Sequence, residues 1–219
     1  MAGLKGAFIN AGAGLLGKLP NIIVFQFNPD RVTRTPTMPE PPPPEDGTGI
    51  RPAYQQPGPP SESMSFTLRL DATDQLAEGN PTTFANGLLP ALSALELLMI
   101  PKESVSSALF QLSGSAGKQY QLPPTKLPTV LFFWGPFRIY PVFLNSLSIT
   151  ETEYDTKLNP VRAEVAVGLQ VLTPGQLDAD ANFARDAYKY SLGVKEVMAA
   201  LNLANAAQFG LSSVLSFSL

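Results

Sequence analysis

Apolar and polar residues alternate with the greatest regularity in the stretch from Val161 to Val171. There the odd positions are apolar, while the even positions include Arg162, Glu164 and Gln170. Alternation at period two places the apolar side chains on one face of a strand and the polar side chains on the other. A second β-type run, Ser146 to Asp155, precedes this strand and is joined to it by a short turn that contains a proline. The pattern predicts a long antiparallel hairpin with one face on a core and a polar outer face.

Four other segments have strand patterns: Asn21 to Asn28, Ser63 to Asp71, Thr129 to Trp134, and Phe137 to Phe143. Alternation in the first predicts three apolar side chains on one face, Ile23, Phe25 and Phe27. In the second it predicts four inward side chains, Met64, Phe66, Leu68 and Leu70. The third segment is apolar on both faces, which is typical of a strand that is buried from both sides or covered by a neighbouring subunit.

Two segments have helical periodicity. In the first, Leu88, Leu92, Leu95 and Met99 recur at helical spacing, which predicts a helix from about Pro90 that ends before Pro101. The second runs from Asp178 to about Asn205. Its apolar stripe consists of Phe183, Ala187, Tyr190, Val194, Val197, Met198 and Leu201.

These patterns predict a mainly β protein of the α+β class, with one β-domain and two appendages. Residues 1–20 are expected to form an apolar N-terminal arm that is flexible or docked on a partner. Residues 21–177 form the β-domain, interrupted by a loop at 36–60 in which ten of twenty-five residues are proline. Residues 178–219 form a C-terminal helix and an apolar tail.

The composition of the chain excludes several classes of function but does not identify one. Charged residues make up only 15% of the 219, against 44% apolar, which favours a surface partly covered by another chain. The net charge of −3 and the scattered Lys and Arg residues argue against a nucleic-acid partner. The chain has no cysteine and no histidine, which excludes thiol nucleophiles, Ser-His-Asp chemistry and His- or Cys-based zinc sites.

The best catalytic candidates are Glu151 and Glu153, which lie two apart on a predicted strand and hence on one face. Glycosidases use two carboxylates that flank the scissile bond, whereas neighbours on one strand point the same way. A solvated hairpin edge explains the pair better. We therefore predict a non-enzymatic protein without a catalytic residue, a cofactor or a metal.

Several local sequences, in this order along the chain, resemble the tube-domain proteins of contractile injection systems, the phage-tail-like particles typified by the antifeeding prophage. They span residues 22 to 173: Phe25-Gln26-Phe27-Asn28-Pro29-Asp30, Leu70-Asp71-Ala72-Thr73, Val130-Leu131-Phe132-Phe133-Trp134-Gly135, Leu147-Ser148-Ile149-Thr150-Glu151-Thr152, Leu158-Asn159-Pro160-Val161-Arg162-Ala163 and Val171-Leu172-Thr173.

The resemblance implies a tail-tube-like β-barrel or sandwich with a packed helix, and six copies in a ring. Within the family the chain is most similar to the baseplate adaptor between the inner tube and the spike hub. Its partners would be further copies of itself, the inner tube protein, the spike or hub protein and other baseplate proteins. The protein would assemble in the cytoplasm into an injection particle. Residues 178–219 depart from the family pattern, because they lack the composition of the LysM module that longer members carry.

The assembly surface is predicted at two places. The hairpin contributes Thr150, Glu151, Thr152, Glu153, Tyr154, Arg162, Glu164 and Gln170. The apolar tail contributes Leu211, Val214, Leu215, Phe217 and Leu219. The tail and the helix before it are expected to dock onto another baseplate protein or a neighbouring copy. The tail is too short for stable membrane insertion and lacks basic flanks.

Two other functions remain open from the sequence. The first is a β-sandwich that binds carbohydrate or a cell surface, suggested by Trp134, Tyr120 and Tyr140 together with the short acidic rows. The weaker one is a glycosidase that uses Glu151 or Glu153. A sugar-affinity measurement and a substrate panel separate these from an assembly subunit.

Overall fold

The computed structural model describes residues 3–10, 21–39, 58–100, 128–178 and 181–208. In these ranges the strands are Ala7–Asn10 (β1), Asn21–Val24 (β2), Val32–Thr37 (β3), Ser61–Asp71 (β4), Val130–Phe133 (β5), Ile139–Tyr154 (β6) and Pro160–Val171 (β7). The α-helices are Thr73–Ala77 (α1), Pro81–Asn86 (α2), Leu89–Glu96 (α3) and Asn182–Gln208 (α4), and Pro174–Gln176 forms a 3-10 turn.

All seven strands belong to one antiparallel sheet in the order β2-β1-β5-β6-β7-β4-β3. The β6–β7 hairpin and its pairing with β4 form the centre of this sheet. The mainly β, α+β class with a C-terminal helix is therefore confirmed. The outermost strands are β2 and β3, and the seven residues between them lead from one edge of the sheet to the other.

The sheet is strongly curled. Strands β1 and β4 are four positions apart in the sheet, so in a flat sheet they would be separated by about 19 Å. Instead the ring of Phe8 on β1 stacks on the ring of Phe66 on β4, with centroids 6.2 Å apart. Phe66 also stacks on Phe132 of β5 at 5.3 Å. One continuous sheet thus wraps around an aromatic core.

Alternation and helical periodicity account for most of the core. Met64, Phe66 and Leu68 of β4 are buried as predicted, and so is every second residue of β7 from Ala163 to Val171. The predicted helix near Pro90 is α3, which buries Leu92 and Leu95 against the same core.

The prediction of an N-terminal arm is wrong for residues 7–10. These residues form β1, which pairs with β2 on one side and β5 on the other. Phe8 is completely buried, with its ring edge-to-face on Phe25 at 5.1 Å. The strand was not predicted because four residues in a glycine-rich stretch are too few to show an alternation of apolar and polar positions.

Two strand boundaries also differ from prediction. The first predicted strand ends at Val24, and Phe27, expected on the inner face with Ile23 and Phe25, is 48% exposed. The proline-rich loop begins later than expected, since Pro36 lies within β3, an edge strand, where a residue without an N–H is tolerated. Most of the predicted loop, residues 40–57, lies outside the described residues.

The segments predicted as two strands before the turn form a single strand, β6. A bulge between Leu144 and Ser146 allows it to continue. Before the bulge Leu144 faces Leu169, whereas after it Leu147 faces Val167. The extra residue moves the inward positions from even to odd numbers, which makes one strand look like two in sequence.

Helix α4 packs on β6 through small side chains. Ala184, Ala187 and Ser191 are buried, and the Ser191 hydroxyl donates to the carbonyl of Ile139. Within the predicted apolar stripe, only Ala187 is buried and Val194 is half-buried. The other five members of the stripe are 36–58% exposed.

Candidate assembly face

The outward side of β4, β7 and β6 has five rows of cross-strand partners. The row farthest from the hairpin turn is Ser63–Gln170–Phe143, and we call the other four rows the outer face. Two rows hold only small residues: Ser65–Gly168–Ser146 and Thr67–Ala166–Ser148. The two rows nearer the hairpin turn hold charges: Arg69–Glu164–Thr150 and Asp71–Arg162–Glu153. Small side chains leave the backbone of the central strands accessible to another surface.

Gly168 is required by the bulge in β6. A Cβ atom at this position would lie 2.2 Å from the Oγ of Ser146 and 2.6 Å from the Oδ1 of Asn145. These two side chains lie over the glycine because the bulge directs both of them toward β7. The flatness of the outer face at this point therefore depends on the glycine.

Arg162 is the centre of the charged row closest to the turn. Its Nε donates to the Oδ2 of Asp71 at 2.9 Å, and its NH1 donates to the Oε1 of Glu153 at 2.7 Å. The hydrogen bond and the charge of Asp71, followed by those of Glu153, raise the pKa of Arg162. Hydrogen bonds from Thr73, followed by the contact with Arg162, lower the pKa of Asp71. The row is therefore a fixed carboxylate–guanidinium–carboxylate array.

Arg69 forms a looser set of ion pairs one row further from the turn. Its guanidinium lies 3.2 Å from Asp30 and 3.5 Å from Glu164, and all three side chains are more than half exposed. Exposed pairs of this kind contribute only about 0–1 kcal/mol each. Their effect is to neutralise the charges of the outer face rather than to hold the fold.

The loop Gln26–Arg31 stands beside the outer face and bounds an open groove of about 1300 Å³. Gln26 attaches this loop to the end of β4. Its side-chain amide donates to the carbonyl of Asp71 at 2.5 Å, and its Oε1 accepts from the N–H of Asp71 at 2.8 Å. The Gln26 side chain thus makes the two hydrogen bonds to the backbone of Asp71 that a neighbouring strand would make. These bonds hold the loop against the end of β4.

The hairpin turn is rigidly built. The Oδ1 of Asp155 accepts from the N–H groups of Lys157 and Asn159 at 2.7 and 2.8 Å, and its Oδ2 accepts from the Asn159 amide at 2.9 Å. The bonds with Asn159, followed by that with Lys157, lower the pKa of Asp155. Leu158 takes a φ of 65° and is 80% exposed. A left-handed leucine is uncommon, and here the Asp155 hydrogen bonds hold it.

The prediction that Glu151 and Glu153 share a face is wrong. A second bulge separates them, so Glu151 pairs with the inward-facing Ala163 while Glu153 pairs with the outward-facing Arg162. Glu151 instead interacts with Tyr154, whose pKa is raised by partial desolvation and then by this carboxylate. The pair on which the glycosidase alternative rests is therefore not formed.

The other predicted hairpin residues are placed as follows. Thr150, Glu153, Arg162 and Glu164 lie in the charged rows, and Gln170 is on the same face, half-buried, with its amide donating to the Glu62 carbonyl at 3.2 Å. Thr152 is at the second bulge, where its hydroxyl donates to the Arg162 carbonyl at 3.4 Å. The tail positions Leu211, Val214, Leu215, Phe217 and Leu219 lie outside the described residues.

Sequence reasoning missed a polar cluster where α4 meets the sheet. Glu62 of β4 is 8% exposed, accepts from the Nε of Arg34 at 2.6 Å, and pairs with the Nζ of Lys195 at 3.1 Å. Both cations also lie 5.5 Å from the ring centre of Tyr140. The sequence offered one signal, the carboxylate of Glu62 within an otherwise alternating strand. Its partners Arg34 and Lys195 lie 28 and 133 residues away along the chain, so no local pattern connects them.

The aromatic residues behind the sugar-binding alternative are not arranged as a platform. Trp134 stacks on Phe132 at 5.9 Å and contacts Phe25 at 6.5 Å, while Tyr140 is 4% exposed. Tyr120 lies outside the described residues. No group of three or more potential metal ligands occurs in the part of the chain that the structure describes.

Among the described helices, none combines the length and the apolar character needed to cross a bilayer. Comparison of the chain with models of protein families, and with curated proteins, gives no match.

Proposed function

We propose that this chain is a non-enzymatic structural subunit of a contractile injection system, a hexameric adaptor that joins the inner tube to the spike in the baseplate. The observation that carries the proposal is the outer face. Three central strands present small hydroxyl-bearing residues and charges that are already paired. Such a face suits a surface that lines a lumen or meets another layer of protein, because its side chains are short and its charges are paired with one another.

The edges of the sheet support a ring. Beyond β2 and β3 no further strand is paired among the residues that the structure describes. On β2, Ile22 and Val24 are 54% and 58% exposed, and nearly all of β3 is exposed. Unpaired edges with apolar side chains promote aggregation unless another chain covers them. A head-to-tail contact between the β2 edge of one copy and the β3 edge of the next would satisfy both and close into a ring.

The resemblance supports the adaptor role, and the two ends of the β6–β7 hairpin differ in a way that is compatible with it. One end of the hairpin carries the rigid turn at Asp155, and the opposite end carries α4. A bulk tube subunit that stacks head to tail also has unlike upper and lower surfaces. The resemblance, rather than the two unlike ends, is therefore what favours the adaptor over the bulk subunit.

The test is to express the protein together with tube, sheath, spike and ATPase proteins of such a particle and to locate it by electron cryomicroscopy. We expect one ring of six copies between tube and spike. Particles that assemble without the protein would contradict the proposal. So would a monomer, in the presence of these proteins, that binds sugars with measurable affinity.

A further inference from the structure

The chain contains one Asn-Gly dipeptide, Asn86–Gly87, at the end of helix α2. Deamidation of an asparagine side chain is fastest when glycine follows, because a residue without a Cβ atom hinders the approach of its own backbone nitrogen least. The Asn86 side chain is exposed, so water reaches it. The dipeptide is therefore a chemically reactive point within an ordered part of the fold.

The packing of α2 on the hairpin requires the glycine of this dipeptide. Gly87 has a φ of 56°, and a Cβ atom there would lie 2.4 Å from the carbonyl oxygen of Pro160, at the start of β7. The same oxygen accepts a hydrogen bond from the N–H of Leu88 at 2.8 Å. The side-chain amide of Asn159 also donates to the carbonyl of Ala85 at 3.2 Å. We call these three contacts the α2 junction.

The folded structure opposes the reaction. The backbone nitrogen of Gly87 is the attacking atom in deamidation, and its N–H donates to the carbonyl of Thr83 at 2.7 Å. Thr83 is itself held, because it is buried and its hydroxyl donates to the Oε1 of Gln75 at 2.7 Å. The Asn86 side-chain amide donates to the carbonyl of Thr82 at 3.2 Å. This bond turns the side chain toward the preceding turn of the helix and away from the Gly87 nitrogen.

We propose that Asn86 is a site of spontaneous deamidation that reacts only when the α2 junction opens. In the reaction the Gly87 nitrogen loses its proton and bonds to the Cγ atom of Asn86, while the bond from Cγ to Nδ2 breaks. The side-chain nitrogen takes up a proton and leaves as ammonia. Water then opens the resulting succinimide ring at one of its two carbonyl carbons, which gives aspartate or isoaspartate. No oxidant or reductant takes part.

Local opening links the protected state to the reactive one. When the junction opens and closes faster than the ring forms, the observed rate is the rate in the unfolded chain multiplied by the fraction of molecules with an open junction. The rate of deamidation at Asn86 in the folded chain therefore measures the stability of the α2 junction.

The products of the reaction do not fit the closed junction. Isoaspartate inserts a methylene group into the main chain directly before Gly87, where the Pro160 carbonyl leaves no space for an added atom. Both products carry a negative charge at the C-terminal end of α2, where the helix dipole disfavours it. A modified chain should therefore keep its junction open. This inference concerns the isolated chain and is independent of the proposed adaptor function.

The test follows deamidation of the full chain in warm, mildly alkaline buffer by peptide mapping and mass spectrometry. The folded chain is compared with the same chain in concentrated urea. We expect Asn86 to deamidate at least about tenfold more slowly in the folded chain, because its junction is closed most of the time. Each sample contains an internal control, the exposed Asn145 on β6, which also precedes a small residue but lies outside the junction.

Two variants loosen the junction without changing the dipeptide. Asn80 is the N-cap of α2, and its Oδ1 accepts from the N–H groups of Thr82 and Thr83 at 3.0 and 3.3 Å. Asn80→Ala should speed deamidation of Asn86 about fivefold, the change in open fraction that loss of such a cap produces. Asn159→Ala removes the bond from the hairpin turn to α2 and should act in the same direction.

The rate at Asn145 should stay the same in both variants. Equal rates at Asn86 in the folded chain and in urea would overturn the proposal, as would unchanged rates at Asn86 in both variants. If Asn86 and Asn145 speed up by the same factor, the whole sheet opens rather than the α2 junction, and the proposal is wrong.

Discussion

Replacement of Phe8 by alanine tests whether the first described strand is a structural part of the sheet. Phe8 is completely buried in β1, between β2 and β5, and its ring contacts those of Phe25, Phe66 and Phe132 at 5.1, 6.2 and 5.7 Å. Removal of a buried phenylalanine side chain typically costs about 3–5 kcal/mol, because it loses transfer free energy and leaves a cavity. The surrounding rings come from three other strands or segments, so collapse of the cavity would require the curled sheet to move.

The assay is equilibrium unfolding in urea, followed by circular dichroism, with Leu4→Ala as the control. Leu4 is 63% exposed, so its loss should change the free energy of unfolding by less than about 0.5 kcal/mol. For Phe8→Ala we expect the free energy of unfolding to fall by about 3–5 kcal/mol and the Tm to fall by on the order of 10 °C. If both variants unfold like the wild type, residues 7–10 do not belong to the sheet and the description of its curl is wrong.

Three further predictions concern the outer face and the hairpin turn beside it. Arg162→Glu places a third carboxylate between two others, so we expect fewer rings in electron micrographs while the isolated chain keeps its circular dichroism spectrum; normal ring assembly would contradict a role for this row. Gly168→Val should clash with Ser146 and lower the Tm, whereas Ala166→Val, in the next row of the same strand, should be tolerated; equal Tm values would refute the close approach at the bulge. Because hydrogen bonds hold the folded pKa of Asp155 below its unfolded value, its contribution to stability is present above the unfolded pKa and is lost as pH falls through the folded pKa. Asp155→Asn should therefore flatten the acid limb of a plot of stability against pH, and an unchanged limb would show that the turn does not depend on the carboxylate.

The sequence predicts the elements whose pattern is local. Alternation in β4 and β7 extends over at least nine residues in each, and both strands bury the predicted side. The four-residue β1 has no such length. The two bulges of β6 each insert one residue without any change in composition, so the phase of the strand beyond them cannot be derived from alternation alone.

The candidate site was predicted only in part, because its geometry depends on register. The hairpin identified Arg162 and Glu153 as outer-face residues, but Asp71 reaches Arg162 from 91 positions away. No local pattern specifies which residue of β4 lies opposite which residue of β7. The docked face of α4 was missed for a different reason. Helical periodicity highlights large apolar residues, whereas close packing on β6 uses alanine and serine.

The central claim, that six copies close into a ring, is tested most directly by native mass spectrometry of the purified chain, alone and with the inner tube protein. We expect a species with six times the mass of the 23.4 kDa chain, which should appear as a closed ring in electron micrographs. Monomers or species smaller than six copies alone, in both the presence and the absence of the tube protein, would contradict it.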